Sequence, residues 1–382
     1  MKTVDLFAGC GGLSLGFKNA GFEIVAAYDC WQPAVDVYKL NFDDHEIFNH
    51  DLSDLESSVE EIRQFNPDII IGGPPCQDFS HAGNRQEGAR ANLTETFAVI
   101  VSRIQPKWFV MENVDRAMKS EAYTTARGIL KNAGYGLTEY VFDASLCGVP
   151  QARKRFICIG KKHAEDAFLL DAIQNSLSAT PMTVRQYLGN ALGIDYYYRH
   201  PRNYSRRGIF SIDEPSPTVR GVNRPVPKGY QGHNGDPVQI SDAIRPLTTQ
   251  ERALLQTFPA DFKWVGTKTD LEQIIGNAVP VKLAEFVANR ILEYQAKHSD
   301  NWDSFRDWLN TGKNLSSASA RDVVSRINRV NKIIVIGEND DLIDIAYKLE
   351  KTPEFSQLSG SVKSQLKRAV SFQIEFRENA SR

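Results

Sequence analysis

The sequence predicts an α/β fold: a mixed, mostly parallel sheet with helices on both faces, a smaller irregular region and a C-terminal helical appendage. Three observations predict it. Short β-branched runs alternate with helical periodicity from Thr3 to Gly160, as in βαβ units. Chemically useful polar residues fall at the carboxyl ends of successive runs, where open α/β sheets place ligands. Beyond residue 299, apolar residues recur only at helical spacing.

Residues 3–7 read as the first strand. Ala8-Gly9-Cys10-Gly11-Gly12 then makes a tight turn into a helix reaching Ala20, with free backbone N–H groups at its start. Residues 23–28 form a second strand ending at Asp29, an acidic position suited to the two ribose hydroxyls of a nucleoside cofactor. The Gly-x-Gly-Gly spacing, with Asp5 ahead of it, departs from a dinucleotide-binding turn. It points instead to S-adenosylmethionine, whose amino-acid part needs no pyrophosphate cradle. A helix over 34–41, a strand over 46–50 ending at Asp51 and a helix to Gln64 follow.

Asp68-Ile69-Ile70-Ile71-Gly72 is a buried strand stopped by the rigid Gly73-Pro74-Pro75 turn, which sets Cys76 at its carboxyl end. Taken alone, a free cysteine is usually a small buried hydrophobe. Residues 77–94 lack apolar periodicity and read as a lid beside a site. A helix over 97–104 leads to the strand 108–111, which terminates at Glu112-Asn113-Val114. That polar pair is equally readable as a helix cap or turn. After a helix over 121–133 and a strand over 136–142, Gln151-Ala152-Arg153-Lys154-Arg155 enters the strand 156–160. Two arginines at i, i+2 point the same way and suit a clamp on one anionic or carbonyl-rich group; a solvated basic turn is the plainer alternative.

The bulk properties set limits. The chain has 382 residues, enough for two or three compact parts, with 42% apolar and 24% charged residues. No run approaches the roughly 18 apolar residues of a membrane span, and Met1–Asp5 enters a strand with no signal-like segment, so no membrane role is expected. Five cysteines, odd in number and without metal-type spacing, argue for a reducing cytoplasm and against structural zinc; no metal is expected. The net charge of −2 hides a partition: residues 180–245 hold nine Lys/Arg against five Asp/Glu on an otherwise acidic body. One portion is therefore suited to a polyanion.

Taken together, these pieces resemble the DNA (cytosine-5)-methyltransferase family of prokaryotic restriction–modification type. The matching blocks occur in the family's order. Asp5-Leu6-Phe7-Ala8-Gly9-Cys10-Gly11-Gly12 comes first, then Gly73-Pro74-Pro75-Cys76-Gln77, Glu112-Asn113-Val114 and Gln151–Arg155. Arg245-Pro246-Leu247-Thr248 with Glu251-Arg252, and Gly276-Asn277-Ala278-Val279-Pro280, complete the set. The resemblance covers residues 3 to 295 and implies a Rossmann-like, AdoMet-dependent methyltransferase fold. It implies S-adenosyl-L-methionine as methyl donor, double-stranded DNA as substrate and a functionally paired restriction endonuclease. A monomeric, cytoplasmic enzyme, associated with the nucleoid through DNA, is expected.

The chemistry explains the residue types. Cytosine C5 is too weak a nucleophile to take a methyl group directly, whereas a thiolate adding to C6 converts the ring to an enamine that can. The resemblance makes Cys76 that thiol, Glu112 the protonated partner of N3, Arg155 the donor to O2, and Arg153 its support or a grip on a nearby phosphate. It assigns Phe7, Gly9, Gly11, Gly12, Asp29, Asp51, Leu52, Leu93 and Asn277 to the cofactor. Cys30 stands where a larger side chain often covers the adenine, and Ala278 where serine is frequent. A base inside a duplex must be flipped out for this reaction. The 77–94 lid would close on it, with Arg90 on its phosphate and Ser80 near the backbone.

The resemblance makes residues 1–165 a catalytic domain, 166–258 a target recognition domain and 259–298 a return to the first, leaving 299–382 as a helical appendage outside it. In the recognition interval, Tyr196-Tyr197-Tyr198-Arg199-His200-Pro201-Arg202 and Ser205-Arg206-Arg207 suit phosphates and bases. Thr218 opens its more regular part, and Arg220, Asn223 and Arg224 are the candidate base-readers, with phosphate contact as the alternative. The appendage reads as four helices over 302–312, 316–330, 340–350 and 361–377, either a capping bundle or a small DNA-binding module. Two rival readings share the core: a tRNA cytosine-5 methyltransferase and a catalytically silent DNA-binding homologue. The long arginine-rich interval favours DNA, and intact Cys76, Glu112, Arg153 and Arg155 favour an enzyme.

Overall fold

A seven-stranded sheet organises the first unit of the chain. The computed structural model describes residues 1–75, 92–201, 203, 205–297, 302–334, 336 and 340–380, so Cys76, Ser80 and Arg90 lie outside the described residues. The strands are β1 (Lys2–Leu6), β2 (Glu23–Asp29), β3 (Glu46–Asn49), β4 (Ile69–Gly72), β5 (Trp108–Val114), β6 (Tyr135–Asp143), β7 (Gln151–Ala152) and β8 (Lys154–Lys162). Their order in the sheet is β3-β2-β1-β4-β5-β8-β6, with β7 outside it. From β3 to β5 all pairings are parallel, while β8 runs antiparallel to both its neighbours. The mixed, mostly parallel sheet is therefore present. The chain moves outward from β1 to one side, then from β4 to the other, so the β1/β4 boundary is the switch point where ligands lodge.

Helices α1 (Gly12–Asn19), α2 (Gln32–Lys39), α3 (Leu55–Arg63), α4 (Leu93–Ile104) and α5 (Glu121–Asn132) connect these strands. Ile69, Ile70 and Ile71 of β4 are fully buried because both faces of the strand are covered. On one face Leu13 and Phe17 of α1 pack with Leu283 and Val287 of a late helix, Val281–Lys297. On the other, Val59, Phe97, Val101 and Leu130 from α3, α4 and α5 meet Ile70. Two boundaries differ from expectation. Helix α4 starts at Leu93 rather than Phe97, because the Asn92 side chain accepts from the Thr94 N–H at 3.1 Å and caps it. Strand β5 runs on through Val114, since β8 pairs Glu112 with Ile157, Asn113 with Phe156 and Val114 with Arg155. Glu112 and Asn113 thus stand in a strand, not in a turn.

The arginine-rich interval contains two helices the sequence pattern did not signal, α6 (Leu170–Ser176) and α7 (Val184–Leu188). Short strands follow: β9 (Tyr196–Tyr198), β10 (Ile209–Ser211) and β11 (Ser216–Pro217), the last pairing with β7. The interval shares a core with the sheet helices: Val184, Leu192, Tyr197 and Leu255 pack in one cluster with Val35 and Tyr38 of α2. It does not separate as a compact unit of its own; residues 1–294 cluster together. Helices α8 (Thr249–Leu255), α9 (Lys268–Asn277) and α10 (Val281–Lys297) complete the unit, α9 again being unsignalled.

The second unit, Gln295–Arg382, is helical, and the division falls inside α10. It contains α11 (Trp302–Thr311), α12 (Ser317–Ile333), α13 (Leu342–Glu350), the short α14 (Pro353–Ser356) and α15 (Gly360–Ala380). Phe305 and Leu309 pack on Ala320, Ile327 and Ala369; Ile345, Leu349 and Phe355 pack on Leu366 and Val370. Asp341 caps α13 through the Asp344 N–H at 2.8 Å. No described helix in the protein is long and apolar enough to cross a membrane.

Beneath the switch point runs a buried polar chain. Ser14 Oγ donates to Asp5 Oδ2 at 2.6 Å, and Tyr38 OH donates to Ser14 Oγ at 2.8 Å. The same hydroxyl lies 2.6 Å from His45 Nε2, whose other nitrogen meets Asp44 at 2.8 Å. Burial pushes the Asp5 carboxyl up to about 7, against the pull of its hydrogen bonds with Ser14 and with a small further push from Asp29. The folded state therefore holds this proton more tightly than the unfolded chain. Its contribution to stability is complete below the unfolded value of 3.8 and is lost as the pH rises toward about 7. Asp5→Asn is expected to lessen the fall in unfolding free energy over that window. Urea titrations at several pH values check it, and parallel pH profiles for the two proteins would refute it.

Candidate active site

A cavity of about 530 Å³ opens at the β1/β4 switch point, within the size range of small-molecule sites. Its floor is the turn after β1, where Phe7 takes φ 59° and Gly9 φ 57°. A left-handed backbone at phenylalanine costs about 1–2 kcal/mol, so the surrounding structure imposes it. Gly11 caps α1 at φ 90°, a conformation glycine adopts without penalty. Asp29, at the end of β2, braces this turn: Oδ2 accepts from the Gly9 N–H and Oδ1 from the Trp31 N–H, both at 2.8 Å. Burial raises the Asp29 carboxyl despite those bonds.

Phe7, Gly9, Gly12, Asp29, Asp51, Leu52, Leu93 and Asn277 all line the cavity; of the expected cofactor residues only Gly11 does not. Asp51 accepts from the Ser53 N–H at 3.0 Å, and Leu52 is buried beside it. The donor set fits S-adenosyl-L-methionine. Two carboxylates, Asp29 and Asp51, match hydroxyl and amino groups, apolar side chains match a purine, and backbone N–H groups at the start of α1 match a carboxylate. Trp31 and His50 also line the cavity and were not anticipated. Trp31 supplies an aromatic wall next to Cys30, where the sequence seemed to lack one; its place directly after the acidic strand end was the available signal.

At the other end of the cavity the β5–β8 pairing brings two charges together. Arg155 Nε lies 2.8 Å from Glu112 Oε1, and Glu112 is only 7% exposed. Burial raises the Glu112 carboxyl even though Arg155 and Arg153 pull it down. Asn113 donates to the Pro74 carbonyl at 3.2 Å, tying the Gly-Pro-Pro turn to β5. A Cβ on Gly73 would stand 3.1 Å from Glu112 Oε2, so the turn passes directly beside the carboxyl. A buried acid that holds its proton more tightly than a free carboxyl, a guanidinium paired with it and a turn leading to a cysteine thus meet at one cavity with Asp29 and Asp51.

The model for C-5 cytosine-specific DNA methylases matches residues 1–293. This chain belongs to that family. Its activity is that of a DNA (cytosine-5)-methyltransferase, and similar proteins are type II methyltransferases. M.HindV of Haemophilus influenzae is 58% identical over 297 residues, covering 77% of this chain and 97% of that protein. M.DdeI of Desulfomicrobium norvegicum is 39% identical over 424 residues and covers 90% of this chain and 99% of that protein, so its match extends into the second unit. Among solved structures, a putative DNA modification methyltransferase from an Escherichia coli prophage has a TM-score of 0.57 at 24% identity, covering 78% of this chain and 99% of that one. Schizosaccharomyces pombe Dnmt2 also has a TM-score of 0.57, at 20% identity, covering 77% and 98%. These two show the shared fold.

Within this methylase several expected site residues hold the protein instead. Arg153 is not one arm of a clamp. It is wholly buried, and its guanidinium donates to the carbonyls of Val219 (3.0 Å), Gly276 (2.9 Å) and Ala278 (3.1 Å), leaving no surface for a phosphate. The i, i+2 reading fails because Arg153 lies in the break between β7 and β8, outside any ladder. Gln151 works beside it, accepting from the Val219 N–H at 2.8 Å and donating to Gln256 at 2.8 Å. Thr218 donates to the Ala152 carbonyl at 2.9 Å, Arg220 to the His200 carbonyl, and Asn223 to the Leu247 carbonyl at 2.7 Å. Each of these three is partly exposed and makes a hydrogen bond within the protein. Arg224 is exposed.

Arg153→Ala would strand three carbonyls in the interior. The expected cost is about 3 kcal/mol or more in stability, from roughly 1–3 kcal/mol per unsatisfied group. AdoMet binding should weaken as well, because Asn277 sits between two of those carbonyls. Chemical denaturation and calorimetric titration with AdoMet test both; an unchanged midpoint would show that Arg153 is dispensable to the fold.

Proposed function

We propose that the protein transfers a methyl group from S-adenosyl-L-methionine to C5 of a specific cytosine in double-stranded DNA. The base is flipped out of the helix and reacts through a covalent Cys76–C6 adduct. The observation that carries this reading is the Glu112–Arg155 pair, buried at one end of the cavity beside the turn that leads to Cys76. A flipped cytosine entering there meets a proton donor and a guanidinium together.

S-adenosyl-L-methionine, bound in the cavity, supplies an electrophilic methyl group. The Cys76 thiolate forms a bond to C6, and the displaced electron pair passes into the ring. Glu112, its proton favoured by burial, hydrogen-bonds or protonates N3, and Arg155 donates to O2, so the ring accepts that charge. C5 takes the methyl group as the S–CH3 bond breaks and its electron pair stays on sulfur, leaving S-adenosylhomocysteine. The C5 proton then leaves to water, and the returning electron pair breaks the C6–S bond and expels Cys76. Asp29 and Asp51 hold the donor's hydroxyl and amino groups, while Asn113 ties the Pro74 turn to β5.

Residues 166–258 serve target recognition around this centre and 259–298 return to the catalytic body. Arg90 and Ser80, outside the described residues, contact the DNA backbone in this reading. The biological role is protection of host DNA from a cognate restriction endonuclease, by a monomeric enzyme of the bacterial or archaeal cytoplasm. The names of the type II relatives support that setting.

Incubation with tritiated AdoMet and either duplex DNA or tRNA tests the substrate: label in tRNA alone would replace DNA with RNA in this reading. Cys76→Ser is expected to abolish transfer while leaving DNA binding measurable, and retained turnover would remove Cys76 as nucleophile. Glu112→Gln should slow transfer by about 10²–10⁴-fold, the usual contribution of a positioned acid or base, with little change in AdoMet affinity. Single-turnover rates and equilibrium dialysis separate the two effects.

A further inference from the structure

The loop from Gly221 to Pro225 is anchored to α9 and its neighbours. At its base the Arg220–Gly221 backbone packs so closely on α9 that a Cβ at Gly276 would overlap it. In its middle, the Asn223 amide donates to the Leu247 carbonyl at 2.7 Å and to Glu272 Oε1 at 3.2 Å. Glu272 is itself buried, accepts from Thr249 at 2.8 Å and pairs with Arg252, which donates to the Arg220 carbonyl. Pro225 fixes the far end and restricts Arg224 to extended backbone.

What this scaffold presents is an alternation. Asn223 points inward, while its neighbours Val222 and Arg224 stand in solvent, Val222 at 59% exposure. Among the described cations of residues 196–245, Arg199, Arg207, Arg220 and Arg245 are hydrogen-bonded within the protein. Arg206, Arg224 and Lys228 are exposed, with no side-chain hydrogen bond or ion pair among the described residues. Of these three, Arg224 alone borders the recess that also contains Arg220, Val222 and Asn223. Phosphate contact needs only a mobile cation. A guanidinium next to an exposed β-branched side chain, both on an anchored loop, suits a groove where hydrogen bonds and apolar contacts alternate.

We propose that Arg224 and Val222 read base edges of the target: Arg224 recognises a guanine through O6 and N7, and Val222 packs on the C5 edge of a neighbouring pyrimidine. Arg220 and Asn223 hold the loop and do not read bases. A major-groove guanine offers two acceptors that match the arginine fork, and a thymine methyl or cytosine C5 offers the apolar surface. The proposal rests on duplex DNA being the substrate.

The test uses full-length wild type, Arg224→Ala, Arg224→Lys and Val222→Ala on a pool of duplexes in which random base pairs flank a cytosine. Bisulfite sequencing reads the outcome. The proposal expects Arg224→Ala to relax preference for guanine at one position by roughly tenfold or more, with other positions unchanged. Arg224→Lys, which keeps the charge but not the fork, should relax the same position, and Val222→Ala an adjacent pyrimidine. AdoMet affinity, measured by equilibrium dialysis, should stay at the wild-type value. A uniform loss across all sequences, restored by lysine, would make Arg224 a phosphate contact and overturn the proposal, as would an unchanged sequence profile. Transfer by wild type to tRNA and to no duplex would instead overturn the underlying reading of the substrate, and this proposal with it.

Discussion

The buried Arg153 guanidinium is the interaction on which the site depends. It reaches the carbonyl of Val219 and those of Gly276 and Ala278, from a position two residues before Arg155. Three stretches distant in sequence are thus held by one planar group whose fixed fork suits converging carbonyl acceptors. A lysine ammonium there would give up that geometry. Gln151 and Gln256 extend the same network, with Gln256 donating to the Ala278 carbonyl at 3.1 Å. The Val219 segment, the Gly276–Ala278 segment and the start of β8 are therefore kept in one register by hydrogen bonds to backbone.

Against that fixed frame the reactive end works by opposing forces. Burial favours the neutral form of Glu112, while Arg155 favours the charged one, and burial dominates. A carboxyl in that balance can give or share a proton with a ring nitrogen. Arg155 stands beside Glu112 because the antiparallel β8 places its first residues level with the last residues of β5. Had β8 run parallel to β5, its opening arginine would stand at the opposite edge of the sheet.

The second unit is held by its own two apolar clusters. The match to M.DdeI, which covers 90% of this chain, shows that sequence beyond residue 294 is shared with another type II methyltransferase. Its α13 exposes Ile343 and Tyr347, a face that its own clusters leave uncovered.

Much of the architecture was legible in the sequence because it rests on local rules. Isoleucine runs ending in Gly-Gly-Pro-Pro, a glycine turn after β1 and an acid after β2 each encode their own geometry, and these stretches line one end of the cavity. Four of the appended helices were legible from apolar spacing and their caps, while the short α14 was not. What the tertiary structure decided concerns groups whose meaning depends on a distant partner. Arg153 and Arg155 look equivalent in sequence, yet one is enclosed by three carbonyls and the other faces Glu112, because only the second lies in a strand paired with β5. Thr218, Arg220 and Asn223 carry polar groups whose partners on Ala152, His200 and Leu247 appear only when the chain is folded. Composition announces a polar atom, but whether water, a base or a neighbouring carbonyl satisfies it is settled only when the chain is packed.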